Sequence, residues 1–281
     1  MLQKPTFSVI LANYNGQDYL SEAIQSVLDQ DFEGFEFLIV EDASTDDSRS
    51  IVESFAAKDE RIRPLYQTEN KGQSHAWNIG HQKSKADYLS FIDSDDRWHP
   101  GKLRKVKAMF ENNPNAVLCQ HNLNKIIDGK PTNQKFRKYL ISGDILSFIS
   151  LKEIPLFVPT TGLSVRSSVF NKIRPIPENF KVCADGYMTR TTLCFGEIES
   201  TMASFADYRV HDSNNTFENP EFDKFSYTEE QLIPALREFY EANEEILFSD
   251  RDLKPRKNWW EILLGRDCFV RLRDAKMGKK K

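Results

Sequence analysis

The chain has 281 residues, 40% of them hydrophobic and 12% aromatic, enough for one substantial core with room for a small appendage. Its formal net charge of −4 gives no overall basic footprint of the kind that neutralises phosphates along a nucleic acid, so nucleic acid is not an expected partner. The four cysteines contain no C-x-x-C pair, which argues against a zinc knuckle or a disulfide framework and for a reducing, cytoplasmic setting.

The first apolar run, residues 7–11, is too short for a secretory signal, and no stretch approaches the roughly 18 apolar residues of a spanning helix. Any membrane contact is expected to be peripheral. Asn214-Asn215-Thr216 fits a glycosylation acceptor but, without an export signal, reads as chance.

Residues 7–11 and 35–40 read as strands, and between them Leu20, Ala23, Ile24, Val27 and Leu28 recur at helical spacing, which makes a βαβ unit. Ser44-Thr45-Asp46-Asp47 offers caps to a helix facing inward through Ile51, Val52 and Phe55. A strand at 62–66, a helix at 73–83, a strand at 88–92 and a helix at 99–112 with Pro100 near its start follow. Thereafter the pattern is less regular: a strand at 116–120, a turn at Asp128-Gly129-Lys130, apolar stretches near 145–149 and 163–170, and a helix at 228–248. Strands alternating with helices predict a mostly parallel α/β sheet, with ligands bound beyond the carboxyl ends of its strands.

Chemistry-bearing residues fall at those ends. The strand at 88–92 runs into Asp93-Ser94-Asp95-Asp96, three carboxylates that repel unless a cation or hydrogen-bond donors offset them. Hard oxygen ligands of this kind suit Mg²⁺ or Mn²⁺, which neutralises a diphosphate; the plainer reading is a solvated acidic turn. Glu41-Asp42 ends the strand at 35–40, and Asn13-Tyr14-Asn15-Gly16 follows the first strand, with Tyr14 able to stack on a base. Each alone is weak, and their coincidence at three strand ends carries the reading.

Four ordered segments, residues 8–15, 38–47, 70–80 and 91–96, resemble the successive motifs of family 2 glycosyltransferases of the GT-A fold. The likeness is close over residues 6–110 and looser to about 212. It implies a GT-A domain at 1–215, with a nucleotide-binding half at 1–112 and an acceptor-binding half at 113–215, followed by a C-terminal helical extension at 216–281. It further implies that Tyr14 and Asp42 contact the nucleobase, that Asn78 lines the donor pocket, that Asp93 holds ribose or a metal-bound water, and that Asp95 ligates Mn²⁺ or Mg²⁺. Asn13, Glu41 and Ser94 are counted with the substrate contacts. Glu41 and Ala43 stand where the family more often has Asp and Gly, and Trp77 stands where many relatives carry Arg.

Ala184-Asp185-Gly186 resembles the segment with the family's catalytic acid, usually a Glu-Asp pair, and makes Asp185 the candidate general base. Tyr208-Arg-Val-His211 resembles the late Arg-x-His element, with Arg209 toward substrate and His211 toward the metal. Thr160-Thr161-Gly162 is expected to border the acceptor pocket. Residues 254–281 carry ten Lys or Arg against three acids, beside Trp259 and Trp260, as either a basic helix lying on an anionic membrane or a helix packed on the domain.

The resulting expectation is an inverting transfer from a nucleotide-sugar donor to a saccharide or lipid-linked acceptor in surface polysaccharide or glycoconjugate assembly. The cytoplasm, or the inner face of the membrane, is the expected location. Nucleotidyl transfer would call for a Gly-rich basic loop after the first strand, which Ala12 to Gly16 does not supply. A non-catalytic nucleotide-sugar binding module is the remaining alternative, raised by Ala184.

Overall fold

The computed structural model describes residues 4–144, 157–212, 214 and 223–243; the expected apolar stretch at 145–149 and the basic segment at 254–281 lie outside them. Strands β1 (Phe7–Asn13), β2 (Phe35–Glu41), β3 (Ile62–Tyr66) and β4 (Tyr88–Asp93) are parallel, in the spatial order β3-β2-β1-β4. All seven residues of β2 are buried, as expected of a strand covered on both faces, and five of the seven are apolar, with Glu36 and Glu41 the two exceptions.

Helices α1 (Gln17–Leu28), α2 (Ser48–Ala56) and α3 (Gln73–Lys83) make the crossovers. The buried face of α1 is Leu20, Ala23, Ile24 and Val27, the stripe read from the spacing. From β1 the chain steps outward to β2 and β3, then returns to β4 on the other side of β1. Right-handed crossovers therefore put α3 on the opposite face from α1 and α2, and the crevice above β1 and β4 becomes the switch point where such sheets bind ligands.

The second half turns the sheet from parallel to mixed. It contains β5 (Arg97–Trp98), α4 (Lys102–Asn112), β6 (Ala116–Ile127), β7 (Lys130–Lys135), β8 (Gly143–Asp144), β9 (Leu163–Arg166), α5 (Ser167–Ile173), α6 (Ala184–Thr192) and β10 (Glu197–Val210). Strand β9 is antiparallel between β4 and β6, and β6 pairs in parallel with β10. A short helix, Lys224–Tyr227, passes through a π-turn at Thr228–Leu232 into α7 (Ile233–Ala242). Leu236 and Tyr240 of α7 join the same buried cluster as Phe7 of β1, so the described start of the expected extension packs on the main core.

Two element boundaries are corrected. The helix expected at 99–112 begins at Lys102, because Arg97 and Trp98 pair with β10 and Gly101, at φ 78°, lies outside helical dihedral space. The strand expected at 116–120 extends to Ile127 and hairpins through Asp128-Gly129 into β7. Among the described residues no helix is long and apolar enough to cross a membrane.

Candidate functional site

The loops after β1 and β2 are stitched to each other. Asn13 Nδ2 donates to Ser44 Oγ at 3.3 Å, and Thr45 N–H donates to Asn15 Oδ1 at 2.8 Å. Asp46 caps two helices at once, accepting from Gln17 N at the start of α1 and from Ser48 N at the start of α2, both at 3.0 Å. The stitched loops leave Tyr14 on the rim, 47% exposed and able to stack on a planar ligand. Ala43 sits at φ 62°, which explains why glycine is the expected residue there: a side chain in the left-handed region costs roughly 1–2 kcal/mol.

The two acids ending β2 have different partners. Glu41 is buried and accepts Ser44 N–H at 2.9 Å, so it shapes the turn and does not line the cleft. The Asp42 carboxylate lines the cleft and accepts from Lys71 N at 3.1 Å and Gly72 N at 2.7 Å. The start of α3 thus hangs from the end of β2.

The acidic segment after β4 is tolerated through specific partners. Asp93 N–H donates to Thr161 Oγ1 at 3.0 Å, while Thr161 in turn donates to Asp96. Asp96 is 1% exposed and also accepts Arg209 N–H at 2.9 Å. Burial, with the neighbouring carboxylates, holds both Asp93 and Asp96 well above the usual carboxylate range. Beneath them lies Lys102, fully buried at the start of α4, donating to Thr161 O with its ammonium 3.8 Å from the Trp98 ring centre. Burial pushes its amine well below the usual range, against the pull of Asp96 and Asp93.

Opposite this loop stands the N-terminus of α6. Cys183, at φ 57°, precedes the helix, and Asp185 occupies its first turn, accepting Gly186 N–H at 2.8 Å. Burial pushes the Asp185 carboxyl up, and that bond with the Arg190 and Arg137 charges only partly offsets it. Gln73, at the start of α3, accepts Ala184 N–H at 2.9 Å and points its amide nitrogen toward Asp93 and Thr160, 3.4 Å from each.

The result is a cleft of about 380 Å³, within the range of small-ligand sites. Of the residues singled out from sequence, Asn13, Tyr14, Asp42, Asp93, Ser94, Asp95, Thr160 and Asp185 line it. Three others are placed differently. Asn78 clamps the backbone of Ile176 with two 2.9 Å bonds. Arg209 turns its guanidinium to Glu22 and over the Tyr19 ring, while its Nε donates to Asp95 O at 2.8 Å. Glu41, the third, is the turn residue described above. Trp77, at the expected Arg position, is buried with its ring 4.6 Å from that of Phe91, so it offers the cleft no cation.

Gln73, though inside one of the family-like segments, Lys102 and Asn214 carry no site role in the sequence expectation. The last, read as a chance glycosylation site, is buried, lines the cleft, and donates to Asp95 Oδ2 at 3.3 Å. Lys102 left a signal, since Lys102, Val106 and Phe110 follow i, i+4, i+8 on the buried face of α4.

The donor set beside the acidic loop has the chemistry of a divalent-cation site. His211 Nε2 lies 3.0 Å from Asp95 Oδ2, which sets an imidazole nitrogen beside a carboxylate oxygen of the cleft, a pair that suits Mn²⁺ and admits Mg²⁺. Asn214 Oδ1 holds the His211 backbone N–H at 2.8 Å. Among the described residues no group of three His, Cys, Asp or Glu side chains surrounds a single metal position. The pair fits a cation shared with a ligand that brings its own oxygens.

Comparison with known proteins adds family context. The model of glycosyl transferase family 2 matches residues 8–174. An uncharacterized glycosyltransferase of Nostoc sp. is 36% identical over 214 residues, covering 74% of this chain and 66% of that protein. The putative teichuronic acid biosynthesis glycosyltransferase TuaG of Bacillus subtilis is 42% identical over 102 residues, 36% of this chain and 40% of its own length. The chain therefore spans two thirds or less of these relatives. Among solved structures, S. aureus TarS 1-349 in complex with UDP-GlcNAc superposes with a TM-score of 0.65 at 22% identity, covering 92% of this chain and 70% of that one. Mannosyltransferase PcManGT from Pyrobaculum calidifontis, with GDP-Man and Mn²⁺, gives 0.59 at 15% identity over 96% of this chain and 70% of its own.

Proposed function

This chain belongs to glycosyl transferase family 2, and on that premise we propose that it transfers a glycosyl group from a nucleotide-sugar to an acceptor hydroxyl, with inversion at the anomeric carbon. The observation that carries this reading is that Tyr14, Asp42, Asp93, Asp95 and Asp185 line one and the same cleft. The nucleotide complexes of TarS and PcManGT, proteins of the same fold, support a nucleotide-sugar donor, and TuaG supports a role in surface polysaccharide assembly.

In this mechanism the nucleobase stacks on the exposed ring of Tyr14, with Asp42 at the pocket edge and Asp93 toward the ribose. Asp95 and His211 would hold a divalent cation beside the donor diphosphate, and a cation bound there would offset the phosphate charge of the leaving group. Asp185 accepts the proton of the acceptor hydroxyl while that oxygen bonds to the anomeric carbon, and the bond from that carbon to the diphosphate oxygen breaks. One displacement by one base inverts the centre. Burial suits Asp185 to this work, because a carboxylate with a raised pKa takes a proton more readily than an exposed one.

A binding panel of UDP-, GDP- and TDP-sugars with and without Mn²⁺, followed by transfer assays, tests the reading. At least one donor is expected to raise Tm in a Mn²⁺-dependent way, and Asp185→Asn to keep that binding while losing transfer. Because only the ionised base accepts a proton, wild-type turnover should fall as pH drops through the raised pKa of Asp185. Stabilisation by no donor, or full turnover by Asp185→Asn, refutes it.

A further inference from the structure

The donor wall and the base wall of the cleft come from segments about a hundred residues apart, and one side chain joins them. Among the described residues the Asp185 carboxylate accepts its hydrogen bond from Gly186 N–H of its own helix and none from the acidic loop, so its position relative to Asp93 is inherited from the N-terminus of α6. Two backbone bonds bring this segment to α3, Gln73 N–H to Lys181 O at 2.9 Å and Ser74 N–H to Phe180 O at 3.2 Å. The third tie is the Gln73 carboxamide. Its oxygen accepts the Ala184 N–H at 2.9 Å, one residue before Asp185, and its nitrogen reaches Asp93 Oδ1 and Thr160 Oγ1, 3.4 Å from each.

The Ala184 N–H opens α6 and has no acceptor within its own helix, so its partner sets where the first turn lies. A glutamine suits the place because one amide plane presents an acceptor on one side and two donors on the other. On the donor side the same turn hangs from Asp42 through the Lys71 and Gly72 N–H groups. Residues 71–73 therefore link the end of β2, the end of β4 and the start of α6.

We infer that Gln73 is a positioning residue, whose carboxamide fixes the Asp185 turn of α6 against Asp93 so that base and donor meet in register. The inference rests on the glycosyl-transfer reading above. It assigns Gln73 no proton and no contact with the reacting atoms, only the alignment of two carboxylates on separate elements.

Two variants of the full chain separate alignment from mere filling of space. Gln73→Met keeps the volume and the backbone bond to Lys181 but removes every side-chain hydrogen bond, and kcat is expected to fall on the order of ten- to a hundredfold, with donor KM moving less and Tm near wild type. Gln73→Glu keeps an acceptor for Ala184 N–H, so it should recover part of that kcat. Its added negative charge beside Asp93 and Asp185 should also displace the acid limb of the kcat profile to higher pH. Wild-type kcat in Gln73→Met, no recovery in Gln73→Glu, or an acid limb left in place each overturn the inference while the transfer reading stands. A wild-type chain that transfers from no donor overturns both.

Discussion

Gly72 offers the most direct perturbation of the site's support. Its backbone, at φ 86° and ψ −178°, lies in a region essentially restricted to glycine, where a side chain costs about 1–3 kcal/mol. A Cβ there would also lie 2.5 Å from Lys181 Cα and 2.9 Å from Lys181 O, and these are backbone atoms that cannot swing aside. Forcing such an approach adds about 1–3 kcal/mol, as overpacking does. Gly72→Ala is therefore expected to lose about 2–6 kcal/mol, read as a fall in Tm of at least roughly 4 °C in a chain this long. Displacing Lys181 moves the start of α6, and displacing Gly72 N–H loosens Asp42, so kcat and donor affinity should both decline. Gly129→Ala is the control: its φ of 71° imposes dihedral strain, but its Cβ would meet nothing within 4 Å. Equal Tm shifts in the two variants, or a Gly72→Ala shift under about 1 °C, would show that the contact with Lys181 is not what holds this turn.

Two further outcomes follow from buried polar groups. Thr161→Val preserves shape but strands the Asp93 N–H and one Asp96 carboxylate oxygen, and at about 1–3 kcal/mol for each buried group it should cost about 2–6 kcal/mol in urea unfolding, with weaker donor binding. A loss under about 1 kcal/mol would mean that water replaces the hydroxyl. His81 is buried against the Phe170 ring, and burial, reinforced by Arg174, lowers its pKa from 6.5 to about 4. Between those values the unfolded chain binds a proton that the folded chain does not, so stability should fall as pH drops from 6.5 toward 4 and level off below. Thermal melts across that window should show a shallower slope for His81→Leu, and an unchanged slope would place the titration elsewhere.

The parallel half of the sheet was legible because its strands are covered on both faces, so that β2 is mostly apolar, with Phe37 to Val40 in an unbroken row, and α1 carries a clean helical stripe. Strand β10 was not. Its first eight residues mix Glu, Ser, Thr and Met with apolar positions, and its pairing with β6 shifts register three times, which blurs any period of two. Cleft residues were legible where chemistry and position coincide at a strand end, as at Tyr14, Asp42, Asp93 and Asp95. They were illegible where the partner lies far along the chain. Nothing local to Gln73 announces the Ala184 N–H 111 residues on, and nothing local to Asn78 announces the Ile176 backbone it clamps 98 residues away.

That division has a physical cause. A strand end presents its side chains to the crevice whatever folds above it, so residue type alone suggests a role there. A residue at the start of a helix can face solvent, ligand or another backbone, and only the later segments decide which. Ala184 shows how the two combine. With Ala where the family usually has Glu, the helix start keeps a backbone N–H, one residue before Asp185, as its link to the rest of the cleft, and Gln73 supplies the acceptor. On the transfer reading proposed above, the proton falls to Asp185 and position 184 bears on alignment, through its backbone N–H and the neutral amide that reaches it from α3.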